Sequence, residues 1–136
     1  MGLLPRCEAV MVIFNIDLNV NSLPVAAALQ RTAELLERVR ALLGKPVLVS
    51  SGYRSPLVNR AVGGAASSAH MLGCAADFSS PGFGAPLEIC HAIVASDIPF
   101  DQLIHEYRAW VHIAWAPSPR RQVLTIDGNG TRAWLE

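Results

Sequence analysis

The chain has 136 residues, which fits one domain and leaves no room for a second. Hydrophobic residues make up 51% of it, enough to bury a core and too many for a disordered chain. Lys plus Arg and Asp plus Glu number 11 each, a formal charge of zero, which excludes capture of nucleic acid, a membrane or an acidic wall polymer by bulk charge.

The opening, MGLLPRCEAVMVIFN, reads equally as a strand or as a frayed extension, so residues 1–21 are treated as a poorly defined start to a single domain spanning 1–136. Its apolar run, residues 9–14, lies between Glu8 and Asp17 and is shorter than the ~7–15 residues of a secretion-signal core. No stretch approaches the roughly 20 apolar residues of a membrane span. The expectation is synthesis in a cytoplasm without a signal peptide. Cys7, Cys74 and Cys90 form no CxxC pair, so a thiolate zinc knuckle and a disulfide framework are both out. They read as small buried thiols.

Ser22 suits a helix N-cap and Pro24 a first turn. Val25, Leu29, Leu35, Leu36, Val39, Leu42 and Leu43 then recur at helical spacing, Gly44 ends the helix, and Pro46 prevents its continuation. Arg31, Glu34, Glu37, Arg38 and Arg40 read as its solvated face. Val47, Leu48 and Val49 read as a short buried strand. Next comes SGYRSPLVNRAVGGAASSAH, a loop by composition with one helical turn at residues 57–62. Long ordered loops in small domains tend to carry function. Residues 75–78 read as a strand. A second helix starts at Pro86 and runs to about Ser96, with Leu87, Cys90, Ile93 and Val94 inward. Residues 101–106 and 110–115 read as a hairpin around Tyr107, Arg108 and Ala109. Residues 121–125 follow as a strand, and the Asp127-Gly128-Asn129-Gly130 turn leads to a closing strand. Helices early and an antiparallel meander late make an α+β domain, a small antiparallel sheet with helices packed on one face.

His70 ends the Gly/Ser-rich loop, and Asp77 sits inside the apolar strand CAADF. A carboxylate there must be paired, hydrogen-bonded or metal-bound, because burying it alone is too costly. His112 is central in the aromatic strand WVHIAW. Two His and one Asp leave an open position on tetrahedral zinc, as catalytic sites require. Singly, each has a plainer reading: a packed core histidine, a turn or salt-bridge aspartate. Glu106 falls at the same end of the hairpin as His112, where it can act as a general base or be a solvated strand end. His105 points to the opposite face by the period-two rule and reads as a surface or secondary residue; His91, on a helix, has no assigned role. Arg54, just past a strand, suits a fork onto a carboxylate or polarised carbonyl, or a structural bond to loop carbonyls.

Together SGYRSPLVNRAVGG, SSAHMLGCAADF and FDQLIHEYRAWVHIAW resemble the zinc D-alanyl-D-alanine carboxypeptidase and phage endolysin (L-alanyl-D-glutamate peptidase) family, grouped more widely with lysostaphin and the hedgehog amino-terminal domain. The likeness runs over about residues 22–125. Its most specific part is Ser-x-His, six residues, then Asp, with a later strand His. The resemblance implies one zinc ion per chain held by His70, Asp77 and His112, and Glu106 as catalytic base. It implies Arg54 as a catalytic and substrate-contacting residue, and Ser68, Tyr53 and Trp110 as further substrate contacts. Many relatives carry the Glu three residues before the last ligand, where this chain has Ala109; Glu106 fits a hedgehog-like spacing of six. Trp110 stands where many relatives have His. The implied activity is hydrolysis of peptidoglycan stem peptides, at D-Ala-D-Ala or at L-Ala-D-Glu, without a covalent intermediate. The implied partner is that wall peptide, with no nucleic acid, no membrane and a monomeric protein that reaches the wall by phage-type release. The rival implied by the same likeness is a non-catalytic, zinc-stabilised binding or structural domain.

Overall fold

The computed structural model describes residues 23–136; the expectations for Cys7, Ser22 and the N-terminal extension lie outside them. Helix α1 spans Leu23–Leu43. Its buried side chains Leu29, Ala33, Leu36, Val39 and Leu43 recur at three- and four-residue steps, a single inward stripe. The expected stripe holds except at Val25, which is half-buried, and Leu42, which is exposed. Glu37, expected on the solvated face, is buried because Arg40 clamps its carboxylate with bonds of 3.0 and 3.1 Å.

Strand β1 (Leu48–Ser51), the short helix α2 (Pro56–Ala61), a 3₁₀ turn (Ala69–Leu72) and β2 (Ala75–Ser79) come next. They are followed by helix α3 (Pro86–Val94), β3 (Gln102–Glu106), β4 (Trp110–Ala114), β5 (Gln122–Asp127) and β6 (Gly130–Ala133). The six strands form one sheet in the order β1-β2-β4-β3-β5-β6, antiparallel except for the β3–β5 pair. This corrects two expectations. β1 is an edge strand rather than a buried one, and its Leu48 is half-exposed. The late strands are not a simple meander. β2 already occupies the second edge of β4, so the chain crosses to the outer edge of β3 and runs parallel to it. Arg121 turns it there with φ +53° and anchors the corner by donating to the carbonyls of Ile98, Ser96 and Val94.

Register assigns the two faces of the sheet. Asp77, His112, Ile104 and Leu124 are cross-strand partners, so they share one face. Phe78, Val111, Leu103 and Val123 point the other way, into a core completed by α1 and by Ile89, Cys90 and Ile93 of α3. Each large apolar side chain buried there contributes about 1.5–3 kcal/mol. The two long helices cover that face, and the opposite face is left for chemistry. His105 belongs to the covered face, as its alternation requires. It is buried rather than superficial, with its Nδ1 2.9 Å from the Glu136 carbonyl oxygen.

Candidate metal centre

His70 is delivered by the 3₁₀ turn. Ser68 caps that turn, its Oγ accepting from the His70 N–H at 3.3 Å. Gly73 closes it at φ +76°; a Cβ there would lie 3.0 Å from the Val25 carbonyl oxygen, so both backbone angle and space require glycine. Thr32 of α1 donates to the Gly73 carbonyl at 2.6 Å, fastening the turn to the core. Asp77 and His112 face each other across the β2–β4 ladder.

The three side chains meet. His70 Nε2 lies 3.1 Å from Asp77 Oδ1 and 3.1 Å from His112 Nδ1, and His112 Nδ1 lies 2.9 Å from Asp77 Oδ1. All three residues are buried. The tautomer of His70 is set from behind: its Nδ1–H donates to the Gly52 carbonyl at 2.7 Å. In the neutral ring that leaves Nε2 as a bare lone pair aimed at a carboxylate oxygen and a second imidazole nitrogen. A metal ion, or in its absence a single proton on His112 Nδ1, relieves the repulsion of lone pairs converging on one point, and a carbonyl behind a ligating imidazole is a common metal-site arrangement. Tetrahedral zinc, with bonds of about 2.0–2.2 Å, spaces its donors roughly 3.4 Å apart, close to the triangle here. The donor set therefore fits a metal ion. Burial opposes ionisation of Asp77, but the neighbouring His112 and His70 imidazoles outweigh it and hold the carboxyl well below the usual range.

Around this triad opens a cleft of about 590 Å³. His70, His112, Arg54 and Glu106 line it, with residues 63–65 and 67–69 as one wall. Glu106 Oε1 is 4.0 Å from His112 Nδ1. Burial pushes the Glu106 carboxyl above its ordinary value and the Asp77 charge adds to that, against the lowering influence of His112, His70 and Arg54. The turn after Glu106 is tight: Tyr107 and Arg108 both take left-handed φ, 51° and 57°, which fixes where the strand ends.

Arg54 donates from Nη2 to Asp77 Oδ2 at 3.0 Å and from Nε to Ser51 Oγ at 3.1 Å. Its partners are thus side chains, one of them the triad carboxylate. Ser68 lines the cleft. Trp110 stands opposite Glu106 in the β3–β4 ladder, its ring against Tyr107 and its indole Nε1 buried without a partner. Trp110 and Tyr53 are half-buried and lie outside the cleft lining. Asn59, which sequence reasoning passed over, is buried beside Arg54; no motif or periodicity singles out one amide within a polar loop.

An α+β sheet with helices on one face and a buried His-Asp-His donor set beneath an open cleft on the other defines a candidate metal-dependent enzyme. The sequence model described as Peptidase M15 matches residues 12–114, and the chain belongs to that peptidase family. No curated protein matches the chain. No helix among the described residues is long and apolar enough to cross a membrane.

Proposed function

We propose that the protein is a zinc peptidase that hydrolyses stem peptides of bacterial peptidoglycan, at D-Ala-D-Ala or at L-Ala-D-Glu. The observation that carries this reading is the convergence of His70 Nε2, Asp77 Oδ1 and His112 Nδ1 within 3.1 Å of one another, in a chain of a peptidase family. Two imidazoles and one carboxylate without a thiolate match the three-ligand set of catalytic zinc sites, which keep a position open.

A bound zinc ion supplies Lewis acidity, lowering the pKa of a water towards ~7 and polarising the scissile carbonyl. Glu106, as carboxylate, accepts the proton from the attacking water and passes it to the leaving amine nitrogen. Burial raises its pKa, which strengthens it as the acceptor of the water's proton. Arg54 holds Asp77, and its remaining N–H groups serve the substrate carbonyl or the developing oxyanion. Ser68 contributes to substrate contact from the cleft wall, with Tyr53 and Trp110 at the margins. The wall peptide is the partner, and a single chain carries the whole site.

Digestion of purified peptidoglycan by zinc-loaded protein tests this reading, with His112→Ala as the blank and mass spectrometry to identify new amino termini. Fragments ending at one of the two named bonds support it. Zinc bound by the wild type with no cleavage of any wall preparation would make the domain a binding module instead.

A further inference from the structure

Helix α2 is a poor packing element. Ser55 caps it, its Oγ accepting from the Val58 N–H at 3.2 Å, and Pro56 opens its first turn. Its apolar side chains nevertheless face outward, with Leu57 71% and Val58 49% exposed. The one residue the helix buries is polar: Asn59, at 3% exposure. Apolar burial is therefore not what α2 contributes, and what it fixes in place is an amide.

That amide has two partners. Asn59 Nδ2 donates to the Ala65 carbonyl at 2.9 Å, and Oδ1 accepts from Arg54 Nη1 at 3.4 Å. A carbonyl can only accept, so Ala65 fixes the amide's orientation and turns its oxygen towards the guanidinium. Arg54 in turn holds Asp77 Oδ2 at 3.0 Å, while Asp77 Oδ1 is the atom that meets His70 and His112. A continuous run of side-chain bonds thus joins the cleft wall at residues 63–69 to the triad carboxylate. Gly64 shows how closely the wall is seated. A Cβ there would stand 2.0 Å from Asn59 Oδ1 and 3.1 Å from Arg54 Nη1.

We infer that Asn59 is a positioning residue for the metal centre, an inference that rests on the zinc reading of the site. Through Arg54 it sets the orientation in which Asp77 presents Oδ1, and it ties that ligand to the wall of the cleft. It touches no reacting atom. Partners bonded directly to a ligand change metal affinity by roughly 10–100-fold when removed; Asn59 acts one bond further out, so its effect belongs at the lower end of that range.

The test compares wild type, Asn59→Ala and Asn59→Asp. Zinc dissociation constants are measured by competition with a chromophoric chelator, and elastase nicking within residues 63–69 is followed in the zinc-loaded proteins. Asp keeps an oxygen facing Arg54 and loses only the donor to Ala65. Asn59→Ala should bind zinc about 10-fold more weakly, and Asn59→Asp within a few-fold of wild type. Both should be nicked faster, because both lose the wall tether. Wild-type zinc affinity in Asn59→Ala overturns the inference while leaving the zinc reading intact. So does an Asn59→Asp as weak as Asn59→Ala, which would make the loss one of general loosening. If Asn59→Ala does not fold, Gly64→Ala displaces the same amide, and its zinc affinity decides in the same way. A wild type that takes up no zinc overturns both readings.

Discussion

Glu106→Gln removes a proton acceptor and keeps the shape and hydrogen-bonding reach of the side chain. Glu106 Oε1 lies 4.0 Å from His112 Nδ1, and among the described residues no other carboxylate outside the triad is placed to replace it. Asp101 also lines the cleft, but it is five residues back along the strand, roughly 16 Å at about 3.3 Å per residue. Arg120 pairs with it at 2.8 Å and holds its carboxyl below the ordinary range, a further handicap for a base. Ala109 carries no proton, and His105 faces the core. The loss should therefore fall within the full general-base range, ~10²–10⁴-fold, or about 2.7–5.4 kcal/mol at about 1.36 kcal/mol per decade. The assay is the initial rate of new amino termini released from purified peptidoglycan, with zinc content measured in parallel. Wild-type activity should fall with acidification as Glu106 takes up a proton, because the carboxylate is the working form. Stability has a definite sign too. A carboxyl raised in the fold costs nothing below its unfolded pKa and its full penalty above its folded one. Metal-free Glu106→Gln should accordingly melt higher than metal-free wild type at pH 7, with the gap closing below about pH 4. Activity within a few-fold of wild type, with zinc retained, would refute Glu106 as the base.

Arg54→Lys replaces a fork that reaches Ser51, Asn59 and Asp77 with a single ammonium; zinc affinity should drop by roughly 10–100-fold, and a chelator competition showing no change would place Arg54 outside the metal's support. Gly73→Ala forces a left-handed angle on a side chain and sets a Cβ 3.0 Å from the Val25 carbonyl. It should destabilise by about 1–3 kcal/mol in thermal unfolding, and an unchanged melting temperature would contradict the tight seating of the His70 turn. Cys90, fully buried with its thiol pushed up to about 12, should stay unmodified when folded protein meets a thiol reagent at pH 8, read by peptide mass spectrometry. Rapid labelling there would mean that the core opens readily.

Much of this site is legible in the sequence because two of the triad residues break a local pattern: Asp77 is polar within CAADF, and His112 within WVHIAW. Helix α1 is legible for the same reason, since its apolar spacing and Gly44 stop leave one reading. Alternation also gives the facing of His105, but not its burial, which depends on what covers that face. Strand neighbours are less accessible. Residues 121–125 read as a strand from composition, yet the parallel place of β5 beside β3 follows from β2 having taken the other edge of β4, a long-range fact. The Arg54–Asp77 pair and the Asn59 amide were hidden for a related reason. Both span more than one element, and neither periodicity nor turn chemistry reports contacts between a loop and a strand.

Zinc titration of metal-stripped protein, with peptidoglycan hydrolysis followed at each addition, tests the central claim most directly. Activity should be absent at the start, rise linearly and level off at one equivalent per chain, and His70→Ala should show no such rise. Hydrolysis that persists in the stripped protein, or that is indifferent to zinc while His70→Ala matches wild type, would contradict a catalytic metal at His70, Asp77 and His112.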